Sequence, residues 1–117
     1  MKRDYLDYLQ DIIDSINDIE SFVSGMNFNS FEKDKKTLNA VVRSLEIIGE
    51  AVKKIPDEVK NKYTNIPWKN MSGMRDKLIH EYFGIDEDIV WRVAVEELPP
   101  LKPFFEKILT ETEGENL

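Results

Sequence analysis

Apolar residues return at three- and four-residue steps through most of the chain, the pattern of helices that bury one face. In the first segment Tyr5, Leu9, Ile12, Ile13, Ile16, Ile19, Phe22 and Val23 form such a stripe, and Gly25 stands where a helix stop belongs. The spacing predicts a first helix over residues 3–24. Its other face carries Asp4, Asp7, Asp11, Asp14 and Asp18, which reads as a solvated acidic stripe. Small and polar residues from Gly25 to Asn29 lead to an expected N-cap at Asn29 or Ser30, with Glu32 placed to close a capping box from Asn29. A second helix follows up to Pro56, with Leu38, Val41, Val42, Leu45, Ile48 and Val52 facing inward. On it Gly49 and Ala51 offer small surfaces for the close approach of another helix, read as tight packing inside the bundle.

Pro56-Asp57 marks a break and a fresh cap, giving a short connecting turn of helix over 57–63. Pro67 fits a first helical position, where its missing N–H would have had no partner anyway. Trp68, Met71, Met74, Leu78 and Ile79 then supply the stripe of a third helix, open to interruption at Ser72-Gly73 and ended by Gly84. Asp86 or a neighbour caps a fourth, with Ile89, Val90, Val93 and Ala94 inward beside Trp91. Pro99, Pro100 and Pro103 bend the chain before a last helix over about 100–111 that carries Leu101, Phe104, Phe105, Ile108 and Leu109. No Val/Ile/Thr-rich alternation suggests a strand. The expectation is an all-α, four- to five-helix up-and-down bundle, one domain over residues 1–112 with a frayed tail at 113–117.

A chain of 117 residues leaves no room for a second domain with its own core. It buries roughly two-thirds of its unfolded surface, and a small helical domain often buries more by dimerising. No apolar stretch approaches the ~18 to 20 residues of a membrane span, and Met1-Lys2-Arg3-Asp4-Tyr5 runs into acids instead of an apolar signal core. We therefore expect a cytoplasmic protein with no membrane contact. The absence of cysteine excludes disulfides and thiolate metal sites, and a single histidine argues against a zinc centre within one subunit. Chemistry without metal or other cofactor is the expectation.

A net charge of −7 argues at first against a nucleic-acid partner, because phosphate binding needs clustered cations. The charge is segmented, however. Residues 51–80 hold seven Lys and Arg against three Asp and Glu, while the flanking segments are acidic. Lys53, Lys54, Lys60, Lys62, Lys69, Arg75 and Lys77 all precede His80, so an anionic substrate could meet positive charge there. The alternative is a solvated lysine face.

The run Arg75-Asp76-Lys77-Leu78-Ile79-His80-Glu81-Tyr82 contains the one histidine of the chain. Imidazole is the group whose ordinary pKa suits proton transfer near neutral pH. On a helix, Asp76 and His80 share a face, and the carboxylate can hold one imidazole N–H and favour the charged form. Arg75 and His80, five apart, are separated by about 140° at roughly 100° per residue. Their convergence requires the reach of Arg75, local distortion, or a second copy across a two-fold axis. An imidazole beside a guanidinium that suits phosphate fits metal-independent RNA cleavage. The competing interpretation is a surface histidine paired with Asp76, an arginine bridging acids, and Tyr82 as a packing aromatic.

The run resembles the R-x4-H-x-Y motif of the HEPN superfamily. Around it, Val41-Val42-Arg43-Ser44-Leu45-Glu46-Ile47-Ile48-Gly49-Glu50-Ala51, Ile66-Pro67-Trp68, Gly73-Met74-Arg75, His80-Glu81-Tyr82-Phe83-Gly84-Ile85-Asp86, Val90-Trp91 and Leu98-Pro99-Pro100-Leu101-Lys102 are similar, in order, to the HepT-like branch. The resemblance covers nearly the whole chain. It implies a HEPN-type bundle that forms a two-fold dimer, with Arg75 and His80 of both subunits lining one cleft as the catalytic pair. It implies the toxin of a type II toxin–antitoxin system, a ribonuclease restrained by an MNT-type nucleotidyltransferase antitoxin. Asp76 then supports the pair, and Tyr82 is the tyrosine to which the antitoxin can transfer AMP. The alternative within the resemblance is a non-catalytic helical partner of a nucleotidyltransferase. A third possibility is a metal site using His80 with Glu81 or Asp76.

Overall fold

The computed structural model describes residues 4–80 and 84–115; of Ile79, His80 and Glu115 it describes the backbone alone. The fold is all-α. Its frame is a pair of 19-residue helices, α1 (Tyr5–Val23) and α3 (Lys35–Lys53), packed against each other. Leu9, Ile12, Ile16 and Ile19 of α1 meet Val41, Leu45, Ile48 and Val52 of α3 in the core, all essentially without solvent contact. Each fully buried side chain of this kind contributes about 1.5–3 kcal/mol relative to leaving it in water. The periodicity therefore translates directly into packing.

Asp4 caps α1, and Gly25, at φ 76°, turns the chain after it. Phe22 is the exception to the predicted stripe, at 40% exposure, because Ile19 and Val23 already occupy the core side of that turn. The expected second helix is two helices, α2 (Phe28–Lys33) and α3. The break is at Asp34, whose carboxylate accepts the Thr37 N–H at 3.0 Å and the Thr37 hydroxyl at 2.8 Å and so starts a new helix. The capping box also lies two residues earlier than expected. Asn27 and Ser30 form it, Asn27 Oδ1 accepting the Ser30 N–H at 2.9 Å, in place of Asn29 with Glu32.

After α3 come α4 (Asp57–Lys62), α5 (Trp68–Ser72) and α6 (Met74–Leu78). Pro67 stands just before α5, one residue outside the helix it was expected to begin. The expected interruption at Ser72-Gly73 is present as the boundary between α5 and α6. At the end of α6 the structure departs from the sequence-based expectation. Ile79–His80 (β1) pairs antiparallel with Gly84–Ile85 (β2), a short ladder where a helix running on toward Gly84 was expected.

Asp86 caps α7 (Glu87–Arg92) through its side chain, which accepts the Ile89 N–H. A single π-helical turn (Val93–Glu97) and a 3₁₀ turn (Pro99–Leu101) follow. Pro99 and Pro100 bring no N–H to continue a regular ladder. The Leu98 N–H instead reaches the Val93 carbonyl at 3.0 Å. The last helix, α8 (Lys102–Glu115), extends past the predicted end near 111. It packs on α1 through Phe105 and Ile108, while Phe104 remains 39% exposed. Trp68 links this helix to α5: its ring meets Phe105 edge-on at 5.7 Å and its Nε1–H donates to the Tyr63 carbonyl. No helix among the described residues is long and apolar enough to cross a membrane.

Candidate active site

Rotation of α6 is fixed by its two ends. Met74 and Leu78, four residues apart and 7% and 1% exposed, both enter the core. The three residues between them, Arg75, Asp76 and Lys77, are thereby turned outward, and all three are exposed. Arg75 is the most informative of these. Its side chain is 68% exposed, and its Nε lies 3.6 Å from Oε2 of Glu46 on α3, whose own side chain is 28% exposed. In water such a pair contributes about 0–1 kcal/mol to stability. Its position matters more than its energy.

At Gly49, α3 lies beside the end of α5: a Cβ there would stand 3.4 Å from the Met71 carbonyl and 3.9 Å from that of Ser72, ordinary packing distances. Glu46 lies one helical turn before Gly49, and Arg75 lies three residues after Ser72. The helix approach expected at Gly49 is therefore one turn from the place where Glu46 meets Arg75.

The helix carrying Arg75 stops before it reaches His80. The Leu78 carbonyl accepts the Asp86 N–H at 3.0 Å, taking up an acceptor that a longer helix would have used internally. His80 then stands opposite Gly84 in the ladder, and Gly84 has a φ of 82° that favours glycine. Two sequence-based arguments change as a result. Asp76 and His80 do not share a helical face, because only Asp76 is on α6. The separation of about 140° between Arg75 and His80 likewise falls away, since it assumed one straight helix at roughly 100° per residue. The backbone between the two residues does change from helix to strand, the local distortion named among the three routes. Tyr82, with Glu81 and Phe83, lies outside the described residues.

Basic residues of the middle segment occupy four helices: Lys53 on α3, Lys60 and Lys62 on α4, Lys69 on α5, and Arg75 and Lys77 on α6. Lys53 is paired with Glu50 at 3.3 Å. On the flank of α6 that carries Lys77, a cavity of about 240 Å³ is walled by Met71, Met74, Val93, Leu98 and Leu101, with Lys77 and Glu97 among its polar residues. Glu46 is the residue that sequence reasoning passed over. Nothing in the spacing ties it to Arg75, 29 positions later. Gly49, one turn away, was the available signal.

An all-α protein with an Arg-x4-His run set across a helix-to-strand junction is the class that fold and site define. The family model described as "Ribonuclease HepT-like" matches residues 12–108, and the chain belongs to that family. The chain is 47% identical over 115 residues to "Putative RNase MJ0127" of Methanocaldococcus jannaschii, covering 98% of this chain and 95% of that protein. It is 49% identical to "Putative RNase MJ1216" of the same organism, with the same coverage. It is 51% identical over 108 residues to "Probable ribonuclease HepT" of Thermococcus cleftensis, covering 92% of this chain and 98% of that one. No solved structure gives a significant match.

Proposed function

We propose that the chain is a cytoplasmic endoribonuclease that cuts RNA without a metal ion, and that it is the toxin of a type II toxin–antitoxin pair. The observation that carries this reading is Arg75, held on the surface between two buried anchors and joined within one short run to His80. Membership of the HepT-like family supports it. Neutral His80 removes the proton of a ribose 2′-OH, and that oxygen attacks the adjacent phosphorus. The bond to the 5′-oxygen breaks, leaving a 2′,3′-cyclic phosphate and a 5′-OH. Arg75 stabilises the charge that builds on the phosphoryl oxygens through its planar guanidinium.

The departing 5′-oxygen needs a proton, which a second imidazole supplies in a two-fold dimer. Asp76 supports the pair electrostatically from α6. A nucleotidyltransferase of the MNT type acts as antitoxin, and transfer of AMP to Tyr82 adds a negatively charged phosphate that repels RNA.

The test is cleavage of RNA by the purified chain with EDTA present. Products with 2′,3′-cyclic phosphate ends are expected, and both His80→Ala and Arg75→Ala should abolish them. Dependence on divalent metal, or 5′-phosphate ends, would overturn the mechanism.

A further inference from the structure

We propose that Glu46 is a positioning residue for Arg75, gripping the guanidinium by its Nε edge so that the two terminal nitrogens face an incoming phosphate. The proposal rests on the ribonuclease reading above.

Geometry gives the first reason. The contact is to Nε, at 3.6 Å, and the arginine end is 68% exposed. A guanidinium carries five N–H donors in a rigid fork, and the terminal nitrogens make the bidentate contact to phosphate. A carboxylate on the Nε edge restricts the side chain without covering that fork. Glu46 is suited to the role because its own position is set by the core: its neighbours Leu45 and Ile48 are both fully buried. One turn on, α3 packs against α5 and α6, which sets the span across which the pair forms.

Electrostatics gives the second reason. A carboxylate next to a phosphate-binding arginine repels RNA, so a bystander acid there would only weaken binding. An exposed pair also adds little to folding. An acid that costs substrate affinity and brings little stability is accounted for by a gain in the chemical step, where orientation counts.

Glu50 provides the control. It lies four residues further along the same face of α3, carries the same charge and pairs with Lys53 instead of Arg75. The experiment compares steady-state RNA cleavage by wild type, Glu46→Gln, Glu50→Gln, Arg75→Lys and the Glu46→Gln/Arg75→Lys double variant, with melting temperatures recorded alongside. Glu46→Gln should lower kcat about 10- to 100-fold, the scale of a misoriented catalytic group. Its KM should be unchanged or lower, and its melting temperature that of wild type. Glu50→Gln should leave kcat intact. Lysine has no Nε edge, so adding Glu46→Gln to Arg75→Lys should change kcat less than about twofold, the signature of two residues acting through one contact. The proposal is overturned if Glu46→Gln keeps the wild-type kcat, or lowers it equally with and without Arg75. A wild type that cleaves no RNA would overturn the ribonuclease reading and this proposal together, a result distinct from an active wild type matched by Glu46→Gln.

Discussion

The α1/α3 pair and the segment from α5 to β2 are built on different principles. In α1 and α3, 19 residues each, every turn repeats the same arrangement: apolar side chains inward, charges outward. In the second region no element exceeds five residues, and its geometry is set by single contacts made at a distance in sequence. Gly49 packs beside the Met71 carbonyl, the Asp86 N–H donates to the Leu78 carbonyl, and Glu46 lies 3.6 Å from Arg75. Redundant packing gives the first region its stability. The second, without that redundancy, presents a surface arginine and ends its helix at Leu78. Mutations should therefore separate by side chain, with the buried residues of α1 and α3 governing stability and the exposed residues of α6 governing activity.

The largest effect tests that separation directly. Leu45→Ala on α3 removes a side chain with no solvent exposure and should cost about 2–5 kcal/mol, the transfer term plus the cavity left behind. Against a total stability of about 5–15 kcal/mol this is a severe loss. Arg75→Ala removes an exposed side chain and should stay within about 0.5 kcal/mol of wild type. Urea denaturation of both proteins measures the contrast. Comparable losses would mean that Arg75 itself carries stability, and that the exposed face of α6 is not set apart from the core.

The same difference governs how much could be read from the sequence. Leu9, Ile12, Ile16, Leu45 and Ile48 were legible as core because burial of one helical face is a local, periodic signal. Asp86 as a cap, Gly25 as a stop and the break at Ser72-Gly73 were legible because turn chemistry is local too. The end of α6 at Leu78 was not, since it depends on a hydrogen bond from Asp86, eight residues on, and on a ladder that pairs His80 with Gly84. The apolar steps of Leu78 and Ile79 continue the helical pattern, so periodicity carried the helix too far. Asp34 was missed for a related reason. Phe31 and Leu38, seven residues apart, keep helical phase across it, and only the side-chain contact with Thr37 marks the new start. Among the candidate residues, Arg75 and His80 were visible as residue types in a motif. Glu46 was invisible, because an ion pair between two helices leaves no spacing rule.

A smaller effect compares the two glycines with positive φ, one in each region. Gly25 and Gly84 have φ of 76° and 82°, and a Cβ would meet nothing within 4 Å at either. Alanine at each site therefore pays for backbone conformation alone, about 1–2 kcal/mol in the left-handed region. Thermal melts should show similar losses for Gly25→Ala and Gly84→Ala. Their consequences for cleavage should diverge. Gly84 stands opposite His80 in the ladder, so its alanine variant should lose RNA cleavage at a temperature where it remains folded, whereas Gly25→Ala should cleave as wild type. Equal cleavage by the two folded variants would show that the ladder does not place His80.

The smallest effect concerns the cap that begins α3, and it depends on pH. The Asp34 carboxyl is held below the ordinary carboxylate value, first by the Thr37 backbone N–H, then by the Thr37 hydroxyl and by Lys36, all of which favour the charged form. A lowered folded-state pKa means that the unfolded chain binds the proton more readily. The stabilisation is therefore complete above the unfolded carboxyl pKa, about 3.9, and is lost as pH falls through the lower folded value. Asp34→Ala should melt below wild type at pH 7, and the gap should narrow as pH drops beneath about 4. Asp34→Asn, which keeps an acceptor for the Thr37 N–H but cannot titrate, should hold much of the pH 7 stability and show less acid dependence. Melting temperatures across pH 7 to 3 decide the matter, and a gap that stays constant over that range would assign the cap to something other than the charged carboxylate. RNA cleavage by either variant should be unchanged at temperatures where it is folded, because Asp34 acts on how α3 begins and Glu46 lies three turns further along the same helix.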